Sequence, residues 1–492
     1  MTSLRSILSP LSRISSIPLV SSITGKRAAT EDKNATAEVT PDPETSHDVD
    51  QRSGDEKPMT QRVVKSSVNG ETLKQARHVV LALKEAKSAT SRLHRLEKLI
   101  DFVWRMPEMR GVMVEQGVVA VLLGLRERSK DRTISGCARQ ALAMMGYQDP
   151  CKGYGVRILS IDGGGSRGVV AVESLKAIEQ ATGKPIYELF DLICGSSTGA
   201  ILSFLLSFRY LPLNVCNDIY RSISLETFKQ NSIVGRGKLF MNYSYYDTQA
   251  WEMTLRENCG DHETMIHTAR NAKTPKVIAV SSLVNRPILR PYLFRNYEYF
   301  PGTAAFYPGS YTHKLWEVLR ASTAAPGYFE ECVLEDNIYN DGGMLTNNPS
   351  AVALHEAKCL WGSQIPVQCL ISLGTGRRPE TDPETKSKSW WLKNWQERLT
   401  QLITSATDTE AVDTVLRDLL PNGVYFRFNP TLSENIALDE NRVEKLDMMQ
   451  RDTVAYVEAN KSKLERAATQ LLLPRKRHQK AIDRMLMWKA ML

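Results

Sequence analysis

Three glycine-bordered turns hold the residues best suited to chemistry. Gly195-Ser196-Ser197-Thr198-Gly199 has the spacing G-x-S-x-G. With glycine and serine each near ~7% of residues, a chain this long shows that pattern by accident roughly one time in six, so its surroundings decide its meaning. An apolar run from Phe190 to Cys194 precedes it and another follows from Ala200, which predicts a strand-to-helix elbow. Such an elbow lifts the Ser197 hydroxyl clear of a sheet, at the positive end of a helix, where it can serve as a nucleophile. Asp162-Gly163-Gly164-Gly165-Ser166-Arg167-Gly168 likewise follows a predicted strand and opens a helix. Its glycines let backbone N–H groups converge on an anionic oxygen, either a phosphate or the oxyanion of a tetrahedral intermediate. The same loop fits the dinucleotide spacing Gly163-x-Gly165-x-x-Gly168; a nucleotide-binding enzyme is therefore an alternative, but one that leaves Ser197 without a role. Asp341-Gly342-Gly343 ends the short run that begins at Ile338. An aspartate released at a strand end can be aimed at a site on the carboxyl edge of a sheet. A solvent-facing D-G turn is the ordinary alternative.

Taken in order, DGGGSRG, GSSTG, RASTAAPGYF (Arg320 to Phe329) and DGGMLTNNP (Asp341 to Pro349) resemble the signatures of the patatin-like phospholipase family, in particular its calcium-independent gamma type. The match is good over residues 155–376 and loose elsewhere. The resemblance implies a layered α/β/α hydrolase domain with a mainly parallel central sheet. It also implies a Ser–Asp dyad: Ser197 attacks a fatty acyl ester of a glycerophospholipid, Asp341 takes its proton, and water resolves the acyl-enzyme. Backbone amides of Gly164 and Gly165, joined by Ser166 or Arg167, would hold the oxyanion. Gly163, Gly168, Gly195, Gly199, Gly342 and Gly343 would shape the turns. An aspartate near ~3.9 is a feeble base at neutral pH, so burial or a short hydrogen bond has to raise it. His355 and His313 could instead imitate the order Ser…Asp…His, although His355 falls in an apparent helix, where a surface or core histidine is expected. The resemblance implies no cofactor. A catalytically inactive lipid-binding scaffold is the other alternative, and the retained Ser197 and Asp341 argue against it.

The elements that must position these residues follow from hydrophobic period. Val156–Ile161, Val277–Ser281 and Cys369–Leu373 read as buried strands, and 168–182, 315–324 and 349–361 as helices, the first ended by Gly183. Strands alternating with helices predict an α/β fold with a largely parallel sheet. Residues 71–150 have helical period and resemble an armadillo-type repeat; a single repeat cannot stand alone, so a helical region packed on the enzyme is predicted, with a surface for a protein partner. Residues 377–492 read as a helical extension on or beside the catalytic domain. Within it Trp390, Trp391 and Trp395, followed by Leu399, Leu402 and Ile403, lie beside Lys386, Lys388, Lys393 and Arg398. That face suits either a membrane interface or packing on the core.

Residues 1–30 carry Arg5, Arg13, Lys26 and Arg27 with no acid before Glu31, which suits a mitochondrial transit peptide or a basic tail. Residues 31–70 are polar and acidic, too poor in aliphatics to repay ordering, and read as a linker. The net charge of +8 is mild; it predicts solvated surface rather than a nucleic-acid partner. No apolar run reaches the length of a membrane span, so contact with lipid would be peripheral, at a mitochondrial or other intracellular membrane, with cytoplasm or endoplasmic reticulum as alternatives. The eight cysteines form no C-x-x-C pair, no Cys/His cluster suits zinc and no Asp/Glu cluster resembles a calcium loop; no metal is expected. Ser462-Lys463-Leu464 is internal, where a C-terminal import receptor cannot read it.

Overall fold

The computed structural model describes residues 70–228, 246–378 and 409–491. The basic residues 1–30, the polar stretch after them up to residue 69 and the tryptophan-rich face from Trp390 to Ile403 lie outside the described residues.

One sheet organises the molecule. Its strands are β1 (Val156–Ile161), β2 (Leu192–Ser196), β3 (Lys276–Leu283), β4 (Arg290–Arg295), β5 (Gly309–Ser310), β6 (Cys332–Leu334), β7 (Asn337–Asp341), β8 (Val367–Leu373) and β9 (Tyr425–Phe428). The order is β5-β4-β3-β2-β1-β8-β9, with β7 attached to β3 and β6 to β7. From β3 to β9 all neighbours are parallel. The β1 sequence VRILSI is buried at every position, as expected of a central parallel strand covered on both faces. Its side chains alternate between two cores. Leu159 and Ile161 join the cluster beneath the helices Gly168–Thr182, Thr198–Ser207, Leu213–Thr227 and Leu315–Ser322, whereas Val156 and Ile158 join the one beneath Ser350–Trp361 and Thr409–Leu419. The result is a three-layer α/β/α sandwich.

One detail of register positions the site. β2 pairs with β3 up to Ser196 opposite Val280. β7 takes over the same edge of β3 with Asp341 opposite Ser281 and runs antiparallel from there. β4 occupies the other edge along this stretch. The ends of β2 and β7 therefore meet head on, at consecutive residues of β3.

Residues 70–145 fold as helices Gly70–Lys84, Ala89–Arg105, Arg110–Glu115, Val118–Arg128 and Arg132–Met144. Gly117, at φ +76°, turns the chain between two of them, and the Asp131 carboxylate caps the last by accepting from Thr133 N–H. Their core continues into Ile266 and Tyr311, and Arg110 donates to the Tyr299 carbonyl (2.9 Å), so the helical region is packed on the sandwich.

The expectation of a wholly helical extension after residue 376 is corrected by β9, which adds to the sheet beside β8. Tyr425-Phe-Arg-Phe is short, and its central arginine is a weak strand signal; the strand is stabilised by partners distant in sequence. Beyond it, helices Val443–Ala459 and Lys461–Leu472 bury Leu446, Met449, Leu464, Ala467 and Leu471 in the cluster that contains the Gly168–Thr182 helix. The layered domain thus extends past the boundary at 376. Helix Arg477–Met491 carries the basic Arg475–Arg477 segment at its start, where Arg475 pairs with Asp483 and donates to the Gly153 carbonyl (2.9 Å). Among the described residues no helix is long and apolar enough to cross a membrane.

Candidate active site

Ser197 stands at the turn between β2 and the Thr198–Ser207 helix with φ 53° and ψ −120°. A non-glycine residue at positive φ outside turn-forming types is a strained conformation, worth of order 1–3 kcal/mol, that the surroundings must enforce. Two glycines make it sterically attainable. A Cβ on Gly195 would stand 2.2 Å from the Gly199 carbonyl oxygen, and one on Gly199 would stand 2.2 Å from that of Ile161. The turn is therefore pressed against itself and against the end of β1. Ser322, fully buried, holds the strained residue: its Oγ accepts from Ser197 N–H (3.1 Å) and donates to the Val280 carbonyl (2.6 Å).

The Ser197 hydroxyl donates to Asp341 Oδ2 at 2.6 Å. The other carboxylate oxygen, Oδ1, accepts from Gly343 N–H at 2.7 Å. Asp341 is buried, and burial pushes its carboxyl up to about 6, with the bonds from Ser197 and Gly343 pulling the other way. The backbone that carries it is fixed on both sides, since Asp341 N–H donates to the Ala324 carbonyl (2.9 Å) and Ser282 Oγ to the Asp341 carbonyl (2.9 Å).

The Gly163–Gly168 loop lies against the serine, a Cβ on Gly163 falling 3.1 Å from Ser197 Cβ. Gly163 N–H is given to the Asn347 carbonyl (3.2 Å), Ser166 N–H to the Leu438 carbonyl (2.8 Å) and Arg167 N–H to the Gly164 carbonyl (3.1 Å). Gly164 and Gly165 N–H donate to nothing among the described residues. Of the four amides considered from sequence, Ser166 and Arg167 are thus spent on holding the loop. Gly165 sits at φ +57°, and a Cβ there would meet the Leu438 carbonyl oxygen at 2.1 Å. A Cβ on Gly164 would meet the Thr375 hydroxyl at 2.2 Å, one on Gly168 the Tyr220 ring at 2.3 Å, and one on Gly342 the Val280 carbonyl oxygen at 2.2 Å. No side chain fits at these positions without displacing backbone or a packed neighbour.

The family pattern described as patatin-like phospholipase matches residues 159–354, the span that holds every part of this arrangement named so far except Thr375 and Leu438. The chain is 46% identical over 393 residues to calcium-independent phospholipase A2-gamma of Homo sapiens, covering 80% of this chain and 49% of that protein. It is 30% identical over 430 residues to phospholipase A I of Arabidopsis thaliana (75% and 32%), and 26% identical over 425 residues to the 85/88 kDa calcium-independent phospholipase A2 of Rattus norvegicus (77% and 50%). The chain belongs to the patatin-like phospholipase family. It spans half or less of the length of these relatives.

In this patatin-like domain no histidine bonds to Ser197 or Asp341 among the described residues. His355 faces its own helix, with Nε2 3.4 Å from Cys359 Sγ and its ring against Tyr307. His313 is buried edge-on to Phe294, and burial lowers its pKa. Neither completes a triad. Other residues were not singled out from the sequence although they support the patatin-like site. Asn347, within the NNP run, has its Oδ1 where a Cβ of Gly163 (2.5 Å) or of Gly343 (2.9 Å) would stand, wedging the two loops together. Thr375 Oγ1 donates to the Gly163 carbonyl (2.8 Å). Arg427 on β9 pairs with Asp162 (2.8 Å) and donates to Ser372 Oγ (2.8 Å), with both charged side chains buried. Ser322 lies inside the quoted RASTAAPGYF stretch, where a serine between alanines and threonines carries no signal of its own. The Arg320 of that stretch is also buried, donating to the Glu330 carbonyl (2.7 Å) and pairing with Glu252.

Proposed function

We propose that the chain hydrolyses fatty acyl esters of glycerophospholipids, without calcium, through an acyl-enzyme on Ser197. The observation that carries this reading is the 2.6 Å contact between the Ser197 hydroxyl and a buried Asp341 carboxylate raised to about 6. That is close enough to neutrality for a carboxylate to accept the serine proton as the Oγ attacks the ester carbonyl. The proton is then passed to the leaving lysophospholipid, and water, deprotonated by the same carboxylate, resolves the acyl-enzyme. The two unengaged amides, Gly164 and Gly165, are the proposed oxyanion donors; loss of one such donor typically costs about 3–4 kcal/mol in the transition state. The phosphodiester of the substrate has a matching charge in Arg167, whose desolvated guanidinium beside Arg378 is pushed down to about 10. The relatives' names, phospholipases in animals and a plant, support the same substrate class. A substrate held in a bilayer calls for peripheral contact with a lipid surface, and the basic residues 1–30 suit delivery to mitochondria.

The decisive experiment is release of labelled fatty acid from phosphatidylcholine vesicles in excess chelator. The parent should release it and Ser197→Ala should be at least about a thousandfold slower. Equal rates would end the assignment to this serine. The nucleotide reading has less support, because the Gly163–Gly168 loop gives its Ser166 and Arg167 amides to protein carbonyls.

A further inference from the structure

A cleft of about 600 Å³ opens between the Thr409–Leu419 and Lys461–Leu472 helices at the entry to β9. β9 runs parallel to β8, β1 and β2, so its entry lies at the end of the sheet opposite to Ser197. Tyr425 is level with Ile158, four residues below Asp162, and β9 is three strands across from β2. Strand rise and spacing put the cleft roughly 20 Å from the serine. It is a separate place with its own chemistry.

That chemistry is cationic. Arg417, Lys463 and Arg466 converge on the cleft. Among the described residues the one carboxylate bonded to any of them is Asp413, engaged with Arg417 at 2.9 Å. Arg466 is exposed and has no hydrogen-bond or ion partner among the described residues. Lys463 is half-buried, with its ammonium 4.8 Å from the Phe428 ring centroid and, among the described residues, bonded only to the Arg427 carbonyl. Burial and the neighbouring Arg417 push it down to about 8. Two further donors lie in the tight turn Pro421–Val424, closed by Val424 N–H on the Pro421 carbonyl (3.2 Å) with Gly423 at φ +79°. The Asn422 and Gly423 amides of this turn give to nothing among the described residues. Three crowded cations that share a single carboxylate, Asp413, next to turn amides that give to nothing among the described residues, make an anion site. The cleft is much larger than a bare phosphate, and Leu420, Pro421 and Phe426 supply an apolar wall.

We propose that this cleft binds a phosphate-bearing ligand, the phosphate held by Lys463, Arg466 and the Asn422–Gly423 amides and its organic part lying on Leu420, Pro421 and Phe426. The site is linked to the nucleophile's surroundings by a short path: Lys463 holds the carbonyl of Arg427, whose guanidinium holds Asp162 at the start of the glycine loop. Either a soluble phosphate ester or a phosphorylated lipid headgroup supplies this chemistry.

The test measures binding rather than turnover, so it stands or falls apart from the proposed hydrolase activity. Pyrophosphate is titrated calorimetrically into the full chain, and the Ser197→Ala chain is sedimented with phosphatidylcholine vesicles with and without phosphatidylinositol bisphosphate. Each arm is repeated with Arg466→Glu and with Lys463→Met, whose folding is checked by circular dichroism and melting. Saturable pyrophosphate binding that weakens at least tenfold in folded Arg466→Glu supports the site and points to a soluble ligand. Binding confined to the phosphoinositide vesicles, with the same loss, supports it and points to a headgroup. No binding in either arm, or binding equal in the parent and in folded Arg466→Glu, overturns it; Lys463→Met gives the same reading if Arg466→Glu fails to fold.

Discussion

In the proposed hydrolysis the burden on single residues falls first on Asp341. A base works only when ionised, and burial places this carboxyl at about 6 against ~3.9 for a free aspartate. The ionised fraction therefore falls about tenfold for each pH unit below 6 and is nearly constant above it. kcat/KM for phosphatidylcholine should follow, rising with unit slope to about pH 6 and then levelling; a profile flat down to pH 4 would mean that another group takes the proton. Asp341→Asn retains the shape but not the basicity, and should lower kcat by about 10²–10⁴. His355→Ala, which removes a ring set against Cys359, Tyr307 and Phe306, should stay within about twofold of the parent. A folded His355→Ala protein without activity would reinstate a triad. Ser322→Ala leaves both Ser197 N–H and the Val280 carbonyl without their buried partner. Its expected cost is about 1–3 kcal/mol in denaturant unfolding, together with a loss of kcat as the elbow relaxes.

At the scale of elements, the elbow is a compromise between backbone strain and close approach. Replacing Ser197 by glycine removes the strain of a side chain at φ 53°, whereas alanine retains it. Both variants lose the proposed nucleophile, but Ser197→Gly should unfold about 1 kcal/mol later than Ser197→Ala, the relief of strain outweighing glycine's extra chain entropy. Alanine at Gly195 has no such freedom, since its Cβ would meet backbone atoms of Gly199 and Ala200 on an element that cannot retreat. A loss of about 3 kcal/mol or more is expected in the same assay. The elbow was legible in the sequence because its information is local: an apolar strand, G-x-S-x-G and an apolar helix occur together, and β1, β3 and β8 likewise announce themselves as apolar runs. What was not legible depends on distant pairing. Ser322 acquires its role only when β3 brings Val280 alongside, and β9 is a strand only because β8 offers an edge and Asp162 awaits Arg427. The head-on meeting of β2 and β7 is a matter of register on β3, and no motif records it.

The whole molecule is held together across its length by charge as well as by packing. Asp162 opens the glycine loop, and Arg427 reaches it from 265 positions away in the chain, both side chains 2% exposed. Removing one partner of such a pair leaves an uncompensated buried charge and costs about 3–5 kcal/mol, whereas removing both costs much less. Arg427→Met should therefore be strongly destabilised at neutral pH, and adding Asp162→Asn should recover most of the loss in a double-mutant cycle. The pH dependence has a definite sign. Without its arginine the buried Asp162 carboxyl rises further above its unfolded value, so the folded state holds the proton over a window that begins near pH 4 and extends upward. The single variant is then closest to the parent at about pH 4 and loses stability as pH rises through the folded pKa, while Arg427→Met with Asp162→Asn should show no such added slope. Denaturant midpoints for Arg427→Met that run parallel to the parent from pH 5 to 8 would mean that Asp162 is not charged in the folded protein. The segment after residue 376 would then contribute its strand and helices to the sandwich, but not the charge that anchors the glycine loop beside Ser197.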